Sequence, residues 1–319
     1  MKQRQDVTKS FDARQPKPFI PELPLARSAL NRNHLRRSEP ELFEKLASSS
    51  TTRFIPIWSG KTLANVGKPS LRYVASSTFN SPDVWFYLGQ SDEHAESGNG
   101  IEYVAVVVDE ATASSIAPES EWLGLRELGA NLNALEAGLL VESVALSNWR
   151  ASHKFSPRTG NRLESSQAGW VLIDPEDGSE IFPRIDPAII VTVTDESDRI
   201  LLGSNAMWAS NRYSLLAGFV EPGESLEAAV IREIEEESGI RVQNPQYLGS
   251  QSWPYPVSLM LGFSALAAPD QDLNPRPDGT EILDLKWFTR EELRSNSDVV
   301  LPGKTSIARA MIEAWLTQS

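Results

Sequence analysis

Short apolar runs separated by polar turns dominate the first half of the chain. Between residues 51 and 108 these runs are FIPIW, LRYVA, VWFYLG and IEYVAVVV, divided by Gly, Ser, Asn and Asp. Runs of this length bounded by turn residues are typical of β-strands, so the pattern predicts an antiparallel sheet. Over residues 120–149, leucines recur at steps of three and four, which predicts a helix. We therefore expect an N-terminal α+β domain over residues 51–148.

Strand-like and helix-like segments alternate in the second half. AIIVTVTDESDRILLGSN predicts a hairpin around Asp195–Asp198, and YSLLAGFV, QYLGSQSW, SLMLGFSALAA and LDLKWF predict further strands. A C-terminal helix is predicted from Thr305 to Leu316. These elements predict a mixed α/β domain over residues 183–319. Residues 149–182 form a polar, turn-rich connector with too few apolar side chains for a core of its own.

Residues 1–50 differ from the rest in being polar, proline-dotted and basic. They hold ten of the 30 Lys and Arg but only six of the 43 Asp and Glu, in a chain of net charge −13. We interpret them as a loosely held arm leading into a short helix from Glu39 to Ala47. The run from Arg32 to Arg37 could contact a phosphate, but the acidic body argues against broad nucleic-acid binding. A solvated extension is the favoured interpretation.

Composition narrows the chemistry that this chain of 319 residues can perform. Cysteine is absent, so disulfides, a thiol nucleophile and a thiolate zinc site are excluded. The three histidines are scattered along the chain, which argues against a histidine metal site. Any metal chemistry must rely on carboxylates. The opening residues lack the apolar segment of a secretion signal, and no apolar run reaches the ~18 residues of a membrane span. A cytoplasmic protein without a membrane segment is therefore expected.

The segment GFVEPGESLEAAVIREIEEESGI, residues 218–240, carries the most informative pattern. Ser225 is a good N-cap and Gly239 suits the position after a helix end, which predicts a helix over residues 226–238. The following residues lie on one side of a helical wheel: Leu226, Ala229, Val230, Glu233, Glu236 and Glu237. Carboxylates at such spacing repel one another, and a divalent cation, Mg²⁺ or Mn²⁺, would neutralise them. The alternative is an ordinary acidic helix end exposed to solvent.

The spacing G-x5-E-x7-R-E-U-x-E-E-x-G-U, with U aliphatic, resembles the Nudix box at every defining position. The resemblance implies an α/β/α sandwich in which a loop, a helix and a loop grip a metal-bound diphosphate. It implies that Glu233, Glu236 and Glu237 bind metal and that one of them helps to activate the attacking water. It also implies structural roles for the remaining box residues: Gly218, Gly223, Glu224, Arg232 and Gly239.

A second motif, SQSWPYPVSLM at residues 250–260, resembles the SQPWPFPxS array of the NADH pyrophosphatase family. It departs from that array at Ser252 and Tyr255. Held by Pro254 and Pro256, the rings of Trp253 and Tyr255 would form a stiff aromatic platform for a nucleobase or nicotinamide ring. The alternative is that these aromatic side chains fill an ordinary core. The resemblance implies substrate contacts from this segment: Gln251, Trp253, Tyr255, Ser258 and Met260.

Further matches to the same family extend the likeness on both sides of the box. FPRIDPAII resembles the family's YPRxDPxxI segment, with Phe182 at a position that contacts substrate. By the same resemblance, Glu281 completes the metal cluster, Ala217 contributes a backbone metal contact, Phe219 forms an aromatic wall and Ala308 contacts substrate.

The connector resembles the family's four-cysteine zinc ribbon without its ligands. Phe155, Gly160, Gly169 and Trp170 keep the frame of the ribbon. The cysteine positions are occupied by Ser156, Thr159, Asp174 and Asp177. These residue types do not make a structural zinc site, so we expect no zinc and a metal-free remnant held by hydrogen bonds, turns and packing. Weak binding of a hard cation by Asp174 and Asp177 is the alternative.

The resemblance implies hydrolysis of NAD(H) to NMN(H) and AMP with Mg²⁺ or Mn²⁺, removal of NAD caps from RNA 5′ ends as a second activity, and a homodimer. One alternative is a Nudix hydrolase of another nucleoside diphosphate such as ADP-ribose. Another is a regulatory Nudix module that binds a nucleotide without hydrolysing it. Such modules typically lose box carboxylates, whereas this chain retains all of them.

Overall fold

The computed structural model describes residues 23–65, 67–79, 82–94, 100–208, 211–295 and 298–317. An N-terminal domain, a small connector and a C-terminal domain follow one another along the chain. Within the described residues, no helix combines the length and the apolar character needed to cross a membrane.

The N-terminal domain is a six-stranded sheet with helices on both faces. Its strands and helices are β1 (Thr52–Trp58), β2 (Lys61–Asn65), β3 (Ser70–Leu71), β4 (Trp85–His94), β5 (Gly100–Val107), β6 (Trp122–Gly124), α1 (Leu42–Ser48), α2 (Glu110–Ile116), α3 (Leu125–Leu128) and α4 (Ala134–Ser152). One apolar cluster lies between the sheet and α4, and a second lies between the sheet and helices α1 and α2.

The sheet of this domain is mixed, so the prediction of an antiparallel sheet is wrong at one pair. Strands β1 and β5 run parallel, with Thr52 opposite Glu102 and Ile57 opposite Val107. The reason is topological: β4 lies at the edge, and β5 returns between β4 and β1 in the direction of β1. The predicted long helix is also divided, because Trp122–Gly124 pairs with β2 and the Asn133 side chain caps a new helix, α4.

The described part of the N-terminal arm packs against the rest of the chain. Its residues 1–22 lie outside the described residues, but Leu23 and Leu25 are 0% and 3% exposed. Arg36 pairs with Glu102 at 2.6 Å, and the Arg37 guanidinium lies 3.6 Å from the ring centroid of Trp170. The interpretation as a loose, solvated arm is therefore wrong from residue 23 onward. The predicted short helix begins at Leu42 rather than Glu39.

The connector holds a small antiparallel sheet of β7 (Glu164–Ser166), β8 (Val171–Ile173) and β9 (Glu180–Ile181). Helix α4 continues to Ser152, so this unit follows it. Leu163 and Leu172 extend into the core of the N-terminal domain, which supplies the apolar burial that the connector lacks by itself.

The C-terminal domain is a three-layer α/β/α sandwich, as predicted. Its elements are β10 (Asp186–Thr194), β11 (Ile200–Asn205), β12 (Leu216–Phe219), α5 (Leu226–Ser238), β13 (Val242–Trp253), β14 (Ser258–Ala267), β15 (Ile282–Phe288), α6 (Arg290–Ser295) and α7 (Ile307–Thr317). The strand order is β13-β14-β10-β11-β15, with β12 paired to β10. Apolar side chains of α5 pack on one face of the sheet and those of α7 on the other.

Candidate active site

Helix α5 forms over the predicted residues and presents the box to the end of the sheet. The Ser225 hydroxyl accepts a hydrogen bond from the Ala228 amide at 3.1 Å, and Gly239 ends the helix with φ of 67°. The structure differs at one position, Glu236, from the helical wheel that grouped this residue with the apolar face. Ile234 is fully buried, whereas the Glu236 side chain is 60% exposed at the edge of the buried face.

Arg232 joins the box loop to the box helix. Its guanidinium makes a bidentate pair with Glu224, at 2.6 and 3.1 Å, and donates to the carbonyl of Phe219 at 3.0 Å. It also pairs with Glu233 at 2.9 Å and Glu236 at 3.0 Å. Bidentate guanidinium–carboxylate pairing fixes orientation as well as charge. The structure therefore brings Glu224 and Arg232, to which the resemblance assigned structural roles, into direct contact.

Gly218 lets the Glu233 carboxylate approach the backbone of β12. A Cβ atom at Gly218 would lie 2.0 Å from the Glu233 carboxyl carbon. A side chain could occupy that space only if the Glu233 carboxylate moved away. The need for glycine here is thus a need for close approach rather than for an unusual backbone angle. Gly223, by contrast, has φ of 97° and open space around it.

Glu237 is the most unusual carboxylate of the helix. Its residue is 6% exposed, and its Oε2 atom is buried without a hydrogen-bond partner among the described residues. Burial raises the pKa of Glu237 to about 8, and the charges of Glu233 and Glu281 add to this effect. Such a carboxylate is suited to binding a cation that the protein itself does not provide.

Glu281 lies immediately before β15, lines the same cavity as Glu237 and is close enough for its charge to raise the pKa of Glu237. The Asp278 carboxylate accepts hydrogen bonds from the amides of Thr280, Glu281 and Ile282, at 2.9, 3.0 and 2.9 Å. The carbonyl of Glu281 accepts from the Ala206 amide at 2.8 Å. Asp278 therefore fixes the turn that carries Glu281, a role that the sequence analysis missed.

The donor set fits a hard divalent cation. Every candidate side chain offers oxygen, and the unpartnered Oε2 of Glu237 is the kind of atom that a bound cation would satisfy. Within the described ranges, no three carboxylate, histidine or cysteine side chains are already arranged around a metal position. Two of the candidate carboxylates, Glu233 and Glu236, are paired with Arg232 at 2.9 and 3.0 Å.

We predict that metal affinity depends strongly on pH. A raised pKa means that Glu237 carries a proton in the metal-free protein below about pH 8, and that proton must leave before the carboxylate can bind a cation. Apparent Mn²⁺ affinity should therefore rise by roughly tenfold per pH unit between about pH 6 and 7.5. Titration calorimetry in two buffers of different ionisation enthalpy would count the protons released. An apparent Mn²⁺ affinity that stays constant over this pH range would contradict the role of Glu237 as a metal ligand that must first lose its proton.

A cavity of about 460 Å³ lies beside these carboxylates. Several predicted site residues line it: Ala217, Glu237, Trp253, Met260, Glu281 and Ala308. Residues that the sequence analysis did not select also line it: Arg126, Asn205, Trp208, Arg212 and Thr305. Arg126 and Arg212 supply positive charge to a cavity that is also lined by the carboxylates of Glu237 and Glu281. Arg126 comes from the N-terminal domain, in which the sequence showed no chemistry.

Other predicted contacts lie away from the cavity lining. The Gln251 side chain is 1% exposed and both its polar atoms bind protein groups, so a substrate contact from its side chain is not supported. Ser258 is buried at the start of β14. Phe182 and Phe219 are 60% and 55% exposed on the surface. Tyr255 packs edge-on against Trp253, with ring centroids 5.0 Å apart.

Three of the four zinc-ligand positions in the connector meet in a hydrogen-bond network. Thr159 donates to Asp174, which is fully buried, and the amide of Glu176 donates to the same carboxylate at 3.0 Å. Hydrogen bonds from the hydroxyls of Ser156 and Thr159 lower the pKa of Asp174 to about 2. Asp177 instead caps its own turn by accepting from Ser179.

We expect Asp174→Asn to destabilise the connector. The amide would place a donor where two hydroxyls need an acceptor, so the melting temperature should fall by several degrees. Because the native pKa is lowered, the stabilisation by Asp174 is present above about pH 4 and is lost as the pH falls towards 2. Differential scanning calorimetry would measure both effects. Asp177→Asn, exposed in the same turn, is the control, and equal melting temperatures for the two variants would refute the network.

Comparison with known proteins places these observations in a family. A model of the NUDIX domain matches residues 184–312. A protein described as NAD-capped RNA hydrolase NudC from Mycobacterium tuberculosis is 45% identical over 207 residues, which cover 61% of this chain and 66% of that protein. The match thus spans slightly less than two thirds of the mycobacterial relative. A protein of the same description from Stutzerimonas stutzeri is 37% identical over 201 residues, covering 63% of this chain and 70% of that protein.

Among solved structures, a Nudix hydrolase from Nitrosomonas europaea aligns with a TM-score of 0.42 and 23% identity, covering 52% of this chain and 94% of that chain. The match to the NUDIX domain includes the whole box and the second motif. Because the relative from Stutzerimonas stutzeri is 37% identical over 70% of its length, this chain belongs to the Nudix NADH pyrophosphatase family.

Proposed function

We propose that this protein hydrolyses the diphosphate bond of NAD(H), giving NMN(H) and AMP, and that it removes NAD caps from RNA 5′ ends. One observation carries the proposal: the unpartnered Glu237 carboxylate, Glu281 and the aromatic Trp253 line one cavity. A diphosphate and a flat ring are the two chemical features of NAD(H) that such a cavity would bind. The names of the relatives from Mycobacterium tuberculosis and Stutzerimonas stutzeri support the same substrate class.

The carboxylates of Glu233, Glu236, Glu237 and Glu281, with the carbonyl of Ala217, would hold Mg²⁺ or Mn²⁺. When bound, the cation supplies positive charge to the non-bridging oxygens of the diphosphate and acidifies a water molecule. The protein itself positions the carboxylates that would hold the cation. Arg232 braces the loop and the helix, and Gly218 lets Glu233 reach the site. One of the three helix carboxylates accepts the proton of the attacking water.

Positive side chains in the cavity offset part of the repulsion between an acidic floor and an anionic substrate. Arg126 and Arg212 line its walls and add positive charge to it. Trp253 offers its ring to the base or the nicotinamide.

The proposal includes a homodimer and a cytoplasmic location, where NAD(H) and RNA are both present. Three exposed apolar side chains lie near the start of the Nudix domain and at the end of β12: Phe182, Ile185 and Phe219. Exposed apolar groups of this size are typical of interaction surfaces. Pairing two subunits through them would bring Phe182 and Phe219 to a substrate. Sedimentation equilibrium would test this, with a monomeric mass as the contradicting result.

A competition assay separates the proposed substrate from its alternatives. The full chain with Mn²⁺ is given NADH, NAD, ADP-ribose and NAD-capped RNA at equal concentration, and products are resolved by chromatography. We expect NMN(H), AMP and 5′-monophosphate RNA as the main products. Faster turnover of ADP-ribose than of the other substrates would favour a different nucleoside diphosphate. Absence of product from every substrate would favour a binding module.

A further inference from the structure

The aromatic loop of the second motif rests on the N-terminal domain. Asn148, in helix α4, donates its side-chain amide to the carbonyls of Pro254 and Pro256, at 2.8 and 3.3 Å. These carbonyls flank Tyr255 on both sides, and the two prolines have no N–H groups with which to build a local turn network. One amide from another domain therefore fixes the loop on either side of its aromatic residue.

Arg126 holds the aromatic rings themselves. Its guanidinium carbon lies 4.3 Å from the ring centroid of Tyr255 and 5.4 Å from that of Trp253. Both distances are within the range of cation–π attraction. The two rings meet at 62°, so a single planar guanidinium contacts both and maintains their mutual angle. Arg126 also lines the cavity, so this contact is adjacent to where a nucleotide ring would bind.

A chain of buried hydrogen bonds fixes the position of Arg126 against the Nudix domain. Gln251 accepts from the Leu25 amide at 3.1 Å and donates to the Thr305 carbonyl at 3.0 Å. The Thr305 hydroxyl donates to the Arg126 carbonyl at 2.9 Å. Gln251 and Thr305 are 1% and 5% exposed, so these bonds are protected from water. This network also accounts for the buried position of Gln251.

We propose that Arg126 and Asn148 are positioning residues for ring binding: the N-terminal domain orients Trp253 and Tyr255, and so sets the affinity of the cavity for a dinucleotide. The inference rests on the proposed function for its substrate. It assigns a role to the domain in which the sequence showed no chemistry. Because the contacts are made before substrate arrives, their loss affects binding rather than the chemical step.

The experiment uses Arg126→Ala, Arg126→Lys and Asn148→Asp in the full chain. Asn148→Asp replaces the donor with an oxygen that repels two proline carbonyls, and Arg126→Lys keeps the charge but loses the planar face. Arg72→Ala is the matched control, because Arg72 is an ion-paired arginine of the same domain outside the cavity. KM and kcat for NADH are measured, with melting temperature as a check on folding.

We expect KM to rise about tenfold in all three variants, while kcat changes less than about twofold and Arg72→Ala behaves like the unaltered protein. KM within about twofold of the unaltered value would overturn the proposal, as would full recovery by Arg126→Lys or a fall in kcat at constant KM. If a variant has a much lower melting temperature, KM and kcat of all the proteins are compared below that temperature. The same results then support or overturn the proposal.

Energy transfer from tryptophan to NADH, measured without metal, separates the inference from the proposed function. Weaker NADH binding by the variants, in a protein that releases no AMP, would uphold positioning and refute hydrolysis. Unchanged binding, in a protein that hydrolyses NADH, would uphold hydrolysis and refute positioning. Trp253→Phe identifies the part of the signal that comes from the loop.

Discussion

Glu237→Gln is expected to lower turnover by more than about 100-fold without harming the fold. Even groups that merely orient a metal ligand change activity by about 10- to 100-fold, so loss of a ligand carboxylate should exceed that range. The substitution also removes a buried carboxyl group whose Oε2 atom has no hydrogen-bond partner among the described residues and whose ionised form is disfavoured by burial. At about pH 8, half of the Glu237 carboxyl groups in the unaltered protein are ionised. The melting temperature of the metal-free variant at that pH should therefore be no lower than that of the unaltered protein.

Glu235→Gln is the matched control for this prediction. Glu235 lies in the same helix, is exposed, and faces away from the cavity. Steady-state assays with NADH and Mn²⁺, together with calorimetry of both variants, would check the two effects. A Glu237→Gln protein that keeps most of its activity would remove this residue from the catalytic machinery. A large fall in its melting temperature would contradict the view that its charge destabilises the metal-free site.

Gly218→Ala is expected to have the second-largest effect on activity. Its methyl group would lie 2.0 Å from the Glu233 carboxyl carbon, so this carboxylate would have to leave its position against β12. The pairing of Glu233 with Arg232 at 2.9 Å would be disturbed as well. We expect at least about a 100-fold loss of turnover and weaker Mn²⁺ binding, since a displaced ligand acts like a missing one. Enzyme assays and metal titration would measure both.

Gly67→Ala provides the control for a glycine substitution as such. A Cβ atom at Gly67 would meet nothing within 4 Å, and the residue lies in the N-terminal domain. This variant should retain full activity. If Gly218→Ala also retained full activity and metal affinity, Glu233 would not need its present position for catalysis.

Local signals predicted the position of helix α5 in the C-terminal domain well. Helix α5 forms between Ser225 and Gly239 as predicted, because the cap residues and the apolar spacing act within a few residues of one another. The box pattern likewise identified Arg232, whose partner Glu224 is eight residues away. Periodicity did not place Glu236, which lies at the edge of the buried face, where a small rotation decides exposure.

Long-range contacts were beyond the reach of the sequence. Arg126 and Asn148 meet the aromatic loop across 129 and 106 residues, and no local pattern marks an arginine or an asparagine for such a role. The parallel pairing of β1 with β5 depends on which strand takes the edge of the sheet, and that choice is made by packing over the whole domain. Leu23 and Leu25 are buried in apolar clusters of the C-terminal and N-terminal domains respectively, far from these residues in sequence.

The release of AMP from NADH tests the central claim most directly. The full chain and its Glu237→Gln variant would be incubated with NADH and Mn²⁺, and AMP and reduced NMN would be quantified by chromatography. We predict equal amounts of the two products from the unaltered chain, none without Mn²⁺ or Mg²⁺, and a loss of more than about 100-fold in the variant. Absence of AMP with NADH and every other dinucleotide, or equal rates for the two proteins, would contradict the account.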